Sequence, residues 1–198
     1  TKMLYCFNSE IKVQFIKSMI YIALFRGINV GGNNKVEMKK LKSLLERTGF
    51  ENVVTYINSG NVIFKKSGGG SEAELARIIE QAVKDEFQLD LKIVVINSNH
   101  LDAICREIPA DWVKNDEMRT DVLFLWEKYD YPGVLDIIKY KEVDNVKYVP
   151  GALVWNVREK DYTKSNMVKL VGTDLYRHIT IRNVNTVRKL HEMVNNLE

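Results

Sequence analysis

The sequence has few of the residues that build metal centres and disulfide frameworks. Its two cysteines, Cys6 and Cys105, lie far apart in no CxxC or Cys/His spacing, and its three histidines form no HxxxH group. These absences argue against a structural zinc site and against a disulfide-stapled secreted fold. We therefore expect no bound metal and a reducing, cytoplasmic environment.

Charge of one sign and long apolar runs are equally scarce. The chain carries 29 basic and 26 acidic residues, for a net charge of +3, which is too mild to require nucleic acid or an anionic membrane as a partner. No apolar run approaches the roughly 18 to 20 residues that cross a bilayer. We expect no membrane association, and the 198 residues suffice for one or two globular units.

Residues 1–18 do not resemble a secretory signal, because they lack a continuous apolar segment and a small-residue cleavage site. Met19 resembles a natural start of the folded domain. We therefore treat residues 1–18 as an N-terminal extension or an upstream segment and leave them out of the fold prediction.

The first half after Met19 alternates between two periodicities. Apolar, β-branched runs predict strands, and apolar residues at helical spacing predict helices. In chain order these are a strand at 20–25, a helix at 38–45, strands at 53–57 and 61–64, a helix at 75–87 and a strand at 91–96. This βαββαβ order predicts a ferredoxin-like unit over residues 19–98, in which two helices cover one face of an antiparallel sheet.

Both helices of this unit have polar residues that resemble a capping box at their start. Asn34 precedes Glu37 by three residues, and Ser71 precedes Glu74 by the same distance. In such a box the first side chain accepts a main-chain hydrogen bond and the acidic residue reaches back. We therefore expect Asn34 and Ser71 to cap the two helices.

The second half repeats part of this order, with a strand at 121–126, a short helix at 134–138 and a hairpin at 146–155. The Val-x-Tyr-Val, Gly and Leu-Val-Trp of this hairpin echo the Val-Thr-Tyr-Ile, Gly and Val-Ile-Phe of the first hairpin. We therefore predict an α+β fold of duplicated ferredoxin-like units, with antiparallel sheets and helices packed on them. The second, diverged unit covers residues 99–198 and ends in an extra C-terminal helix.

Three polar connections are the candidates for a binding site. The loop 26–35 holds three glycines and three asparagines, and glycine lets main-chain N–H groups approach a ligand closely. The others are the hairpin turn 58–61 and the start of the last helix at 182–186, where free N–H groups and arginine suit a phosphate or carboxylate. The predicted ligand-binding residues are Arg26, Asn29, Asn33, Lys35, Ser59, Asn61, Arg182 and Asn183.

Each connection also has a purely structural explanation. The turn 58–61 has the composition that a tight turn needs by itself, and Gly31 and Gly32 can serve only to adopt unusual backbone angles. Capping explains Asn185 or Thr186. A cation at position 182 is unfavourable at a helix N-terminus unless an anion or an acidic neighbour balances it. An anion site and an internal ion pair therefore both stay open for Arg182.

The leading functional hypothesis is binding of a small anion, such as a nucleotide or a phosphorylated metabolite, in a cleft where the three connections meet. An alternative is an enzyme acting on a phosphorylated substrate, with Arg26 or Arg182 stabilising charge and Asp121 as a guessed base. The sequence itself singles out no catalytic residue, cofactor or oligomeric state.

Two further hypotheses concern larger partners. RNA or single-stranded DNA can bind the exposed sheet face of such folds, and Tyr56, Phe64, Tyr148 and Trp155 are the candidate aromatic side chains. The alternating RNP pattern is absent, which disfavours this alternative. A protein-interaction module at a sheet edge is the last hypothesis.

Three blocks of the sequence resemble a known family. Residues 23–32 (ALFRGINVGG), 55–62 (TYINSGNV) and 182–187 (RNVNTV) are similar to the signature blocks of the bacterial family called domain of unknown function 1697. The chain departs from the family pattern at Val184, where Trp is common, and at Ser165-Asn166, where a Ser-Lys pair is common. The resemblance implies duplicated ferredoxin-like units and brings no established activity, substrate or cofactor.

Overall fold

The computed structural model describes residues 18–31 and 34–197. Two parts of the sequence prediction therefore lie outside the described residues. They are the segment 1–17, which includes Cys6, and the loop positions Gly32 and Asn33, of which Asn33 is a predicted ligand-binding residue.

The first unit has the predicted element order. Its elements are β1 (Ser18–Phe25), α1 (Met38–Arg47), β2 (Glu51–Tyr56), β3 (Asn61–Ser67), α2 (Glu72–Phe87) and β4 (Ile93–Asn97). The strands form an antiparallel sheet in the order β2-β3-β1-β4. One sheet face buries Tyr21, Phe25 and Phe64 beneath α1 and α2, which contribute Leu45 and Ile79. Both helices therefore cover one face, as predicted.

The second unit follows α3 (Ser98–Arg106) and repeats the arrangement of strands. Its elements are β5 (Met118–Leu125), α4 (Val134–Ile138), β6 (Asn145–Val149), β7 (Ala152–Arg158), α5 (Asp174–Arg177), β8 (Ile179–Asn183) and α6 (Val184–Asn195). Short 3-10 turns at Glu159–Lys164 and Asn166–Leu170 stand where the first unit has the long helix α2. The strand order is β6-β7-β5-β8, so the α+β fold class and its duplication are confirmed.

The pairing register makes β4 and β8 equivalent edge strands. Asn97, the last residue of β4, lies opposite Tyr21, and Asn183, the last residue of β8, lies opposite Asp121. Each strand leads directly into a helix, and each asparagine side chain accepts a hydrogen bond from the main-chain N–H three residues later. Asn97 and Asn183 therefore hold the same position in the two units and cap α3 and α6.

A central core joins the two units. Leu24 of β1 and Ile96 of β4 belong to one buried cluster with Phe124 of β5, Ile104 of α3 and Leu190 of α6. A separate cluster lies on the other face of the second sheet, under α4, α5 and the 3-10 turns. Both faces of both sheets are therefore covered over most of their area.

Local signals predicted the helix starts with mixed success. Ser71 accepts a hydrogen bond from the N–H of Glu74, as predicted for α2. The expected capping box at α1 is wrong, because α1 begins after Glu37 without a side-chain cap. Asn34 instead adopts a left-handed conformation and donates its amide to the Gly27 carbonyl at 3.1 Å. The loop itself uses this asparagine.

Candidate functional site

The three polar connections meet at the free edge of β8. They surround a hollow of about 340 Å³, the β8 cleft, whose lining includes Arg26, Ser59, Arg182 and Asn183 among the predicted residues. Tyr176, just before β8, completes one wall. The tertiary structure thus brings together side chains that are more than 120 positions apart in the sequence.

The other predicted residues lie behind or away from this hollow. Asn29 joins the first loop to the hairpin turn, since its amide donates to the carbonyls of Val36 and Asn58 at 2.9 Å. Asn61 is fully buried and donates to the carbonyl of Tyr56. Lys35 is exposed and does not line the β8 cleft.

Arg182 connects the two units through hydrogen bonds. Its guanidinium donates to the Asn61 side chain and to the carbonyls of Phe25 (2.8 Å), Ser59 (3.2 Å) and Gly60 (3.2 Å). These acceptors all belong to the first unit. A β8 side chain therefore holds the hairpin turn of the other sheet, and Arg182 itself is only 8% exposed.

Gly60 is what allows this close approach. Its φ is +74°, and a Cβ there would lie 2.2 Å from Ile28 and 2.7 Å from Phe25. Any side chain would push the turn away from the strand it closes, and Arg182 would lose its acceptors. The glycine therefore shapes the floor of the β8 cleft.

The charge of Arg182 is not balanced by any acidic side chain in residues 18–31 and 34–197. Its remaining hydrogen bonds go to the Thr180 hydroxyl and the Ile181 carbonyl. Burial lowers the pKa of Arg182 to about 10, which still leaves it positively charged at neutral pH. The cleft floor therefore holds a buried cation among neutral acceptors.

Arg26 is the second cation of the β8 cleft. It donates to the carbonyls of Ile179 (3.1 Å) and Tyr176 (3.2 Å) and lies 5.3 Å from the centre of the Tyr176 ring. In the described part of the chain it has no carboxylate partner, and its Nη1 has no hydrogen-bond acceptor. Arg26 can therefore donate to a group in the cleft without breaking its present contacts.

The edge of β4 differs from the edge of β8 in the groups that cover it. In each strand alternate residues point their main-chain groups away from the sheet. On β4 the outward N–H of Ile93 donates to Glu80 at 3.0 Å, and that of Asn97 donates to Glu72 at 2.7 Å. Carboxylates thus occupy the outward donors at both ends of this edge.

On β8 the acceptors are occupied instead. The outward carbonyls of Ile179 and Ile181 accept hydrogen bonds from Arg26 and Arg182. Among the described residues no side chain accepts from the outward N–H groups of Ile179, Ile181 or Asn183. The free edge of the second sheet therefore presents donors and positive charge.

A second depression of about 440 Å³ adjoins the β8 cleft and shares Tyr176, Ile181 and Asn183 with it. Asp121, the guessed base of the enzyme hypothesis, lies here with Arg119 at 3.2 Å. Burial raises the pKa of Asp121, and Arg119 opposes this rise.

The sheet-face aromatics of the nucleic-acid hypothesis are not available as a group. Phe64 and Trp155 are fully buried beneath helices and turns, while Tyr56 and Tyr148 are partly buried. The expectation that these four side chains share an exposed surface is therefore wrong, because Phe64 packs beneath α1 and α2 and Trp155 packs beneath α4, α5 and the 3-10 turns.

Other features of the described residues limit the chemistry of the molecule. In residues 18–31 and 34–197, no helix is both long and apolar enough to cross a membrane. Within those same ranges no group of three or more His, Cys, Asp or Glu side chains is placed to hold a metal ion. Burial raises the pKa of the Cys105 thiol to about 12, which makes this cysteine a poor nucleophile.

Sequence reasoning missed β8 itself and the apolar rim of its cleft. The alternation Ile179-Thr180-Ile181 is a period-2 signal that predicts a strand, but the run is short. Val30 and Ile57 line the cleft and are 59% and 50% exposed. Ile57 also has a positive φ of 49°, and no sequence signal marks an exposed isoleucine in this conformation.

Comparisons with known proteins agree with the fold. The model of a family described as a protein of unknown function, DUF1697, matches residues 19–155. The structure of the conserved bacterial protein SP0830 from Streptococcus pneumoniae is similar, with 31% sequence identity and a TM-score of 0.78, over 90% of this chain and 99% of that one. The search of curated proteins gives no match.

Proposed function

The chain belongs to the DUF1697 family of proteins of unknown function, and we propose that it binds a small anionic ligand in the β8 cleft. The ligand carries a phosphate or a carboxylate. The observation that carries this proposal is the difference between the edges of the two equivalent strands β4 and β8.

The end of β4 in the first unit shows how an acidic group binds an asparagine at the position that Asn183 holds in the second unit. Glu72 accepts from the main-chain N–H of Asn97 at 2.7 Å and from its side-chain amide at 2.8 Å. Asn183 holds the equivalent position, and its side-chain amide has no acceptor among the described residues. A phosphate or carboxylate oxygen would complete the hydrogen bonds of Asn183 as Glu72 completes those of Asn97.

Electrostatics supports the same ligand class. Arg26 and Arg182 both line the cleft, and neither has an acidic partner in the described ranges. Removing a cation from water is costly unless a counter-charge or strong hydrogen bonds compensate for it. An anion in the cleft would supply the missing counter-charge at a distance where little water screens it.

The same contacts disfavour a protein strand as the occupant of this edge. An added strand needs both the outward N–H groups and the outward carbonyls. Arg26 and Arg182 already occupy the carbonyls of Ile179 and Ile181. What stays available is a row of donors, which suits an anion.

The test is a calorimetric titration of the full chain with inorganic phosphate, a nucleoside monophosphate and a dicarboxylate. Asn183→Ser keeps a good helix cap, since Ser and Asn cap about equally well, but it removes the amide donor. We expect it to weaken anion binding by about tenfold or more, because charge-assisted hydrogen bonds contribute roughly 1.5 to 3 kcal/mol. Asn97→Ser, the same change at the equivalent position, removes only the side-chain hydrogen bond to Glu72; it is the control and leaves binding unchanged.

Arg26→Gln removes a charge from the cleft, and Arg47→Gln removes one from an exposed pair with Glu86 elsewhere on the surface. Only the Arg26 variant should lose affinity, and rising salt should weaken binding to the parent protein. The proposal fails if none of the three anions binds at millimolar concentration. It also fails if binding is equal in the Asn183 and Asn97 variants.

A further inference from the structure

A second hollow lies beside the other edge strand, β4. This β4 cleft has a volume of about 780 Å³, within the size range of small-molecule sites. Main-chain atoms of β4 form one side, and Ala73 and Ala76 of α2 form part of the wall. Trp126, which follows β5 as Arg26 follows β1, lies on the side of the second unit.

The floor of the β4 cleft presents a fixed pattern of hydrogen-bonding groups. The outward groups are those of Ile93, Val95 and Asn97, because Val94 and Ile96 pair with β1. Glu80 and Glu72 take the N–H groups at the two ends. In the described ranges, the Ile93 carbonyl, the Val95 N–H and the Val95 carbonyl have no side-chain or main-chain partner outside the sheet. The order is acceptor, donor, acceptor.

We propose that the β4 cleft binds a planar heterocycle whose edge carries a donor beside an acceptor, namely a base of the adenine type. The exocyclic amino group of adenine donates to the Ile93 carbonyl, and ring N1 accepts from the Val95 N–H. The ring then lies in the space bounded by Ala73, Ala76 and Trp126. This inference is independent of the anion proposed for the β8 cleft.

The alternatives fit the floor less well. A peptide strand would bring its own carbonyls toward the end positions at Ile93 and Asn97, where Glu80 and Glu72 already accept the N–H groups. The cleft is lined by four carboxylates and by three permanent cations, Arg77, Lys92 and Arg177, so it lacks the excess of positive charge that the β8 cleft offers to an anion. A neutral ring uses the Ile93 carbonyl and the Val95 N–H, leaves the end positions to the two glutamates and needs no excess of positive charge.

The experiment compares adenosine with inosine on the full chain, using amide chemical shifts and calorimetry. Inosine has the same shape, but it places an acceptor opposite the Ile93 carbonyl and a donor opposite the Val95 N–H. Because the mismatched polar groups would stay unpaired, we expect inosine to bind at least about tenfold more weakly than adenosine. The Val95 amide should shift with adenosine. Both nucleosides lack the charged group that the β8 cleft requires.

Two variants locate the site. Ala76→Phe fills the β4 cleft from α2 and should abolish adenosine binding, while Gln81→Phe, on the same helix but outside the lining, should not. Val95→Pro removes the donor at an edge position where proline breaks no ladder bond. If that variant does not fold by circular dichroism, the Ala76 and Gln81 pair decides. Equal affinity for the two nucleosides, or no binding of adenosine at millimolar concentration, overturns the proposal.

Discussion

The hydrogen bonds of Arg182 make a quantitative prediction about how the two units are held together. Arg182→Met keeps much of the side-chain volume but removes every donor. The Asn61 side chain and the carbonyls of Phe25 and Ser59 then lose their donor from β8. A buried acceptor left without a partner costs about 1 to 3 kcal/mol, so three of them could cost roughly 3 to 9 kcal/mol.

Two effects reduce this cost. The variant no longer buries a cation, which returns part of the desolvation penalty, and water can reach some acceptors from the adjoining cleft. We therefore expect the free energy of unfolding to fall by about 3 to 5 kcal/mol, the lower part of that range. This is a large part of the roughly 5 to 15 kcal/mol that stabilises a typical domain.

Urea unfolding followed by circular dichroism and tryptophan fluorescence measures this change. Arg26→Met is the matched control, because Arg26 donates to only two carbonyls near the open rim, where water can replace it. We expect it to cost less than about 1 kcal/mol. If Arg182→Met is as stable as the parent, the free-energy cost of burying the cation equals the stabilisation by its hydrogen bonds. That result would refute the role of Arg182 in holding the two units together.

Two further predictions concern other contacts of the hairpin turns. The hydrogen bond to Glu72 raises the pKa of His100 above 6.5, so the stabilisation by protonated His100 is complete below pH 6.5 and is lost as the pH rises through the raised value. Glu72→Gln should make the free energy of unfolding less dependent on pH over this window. An unchanged pH dependence would contradict the role of Glu72. Gly60→Ala should cost about 2 kcal/mol more than Gly49→Ala in thermal unfolding, because both have positive φ but only Gly60 lacks room, with Ile28 at 2.2 Å.

Local patterns were sufficient for most of the fold. The βαββαβ order of the first unit and its echo in the hairpin of β6 and β7 rest on periodicity and turn residues, which act within a few positions. The family resemblance of the first two blocks is confirmed by the matching of residues 19–155. The third block, at 182–187, lies beyond that range.

The short elements escaped prediction. β8 has five residues, and α3 follows β4 without an intervening loop. Segments of this length carry too few residues for a periodicity to stand out, and their structure depends on the sheet or helix that they pack against. The predicted cap of α1 is wrong for a similar reason, because the Asn34 side chain donates to the Gly27 carbonyl within its own loop.

The candidate site, like the fold, was predicted from the sequence only in part. Composition alone identified the connections around Arg26, Ser59 and Arg182 as polar and rich in asparagine, and these do line one hollow. Composition could not separate Asn183, which faces the cleft, from Asn61, which is buried behind it. That distinction depends on which side of a strand or turn a side chain leaves, and packing decides it.

The duplicated α+β architecture follows from the amino-acid sequence, because hydrophobic spacing and turn residues act locally and indicate the same strands and helices in both halves. Folding is what places carboxylates on the two end donors of β4 and arginines on the carbonyls of Ile179 and Ile181 in β8. The outward groups of an edge strand take their partners from side chains distant in sequence, and Arg182 reaches Phe25 across 157 positions. The electrostatic difference between the two clefts therefore arises only when the chain is folded.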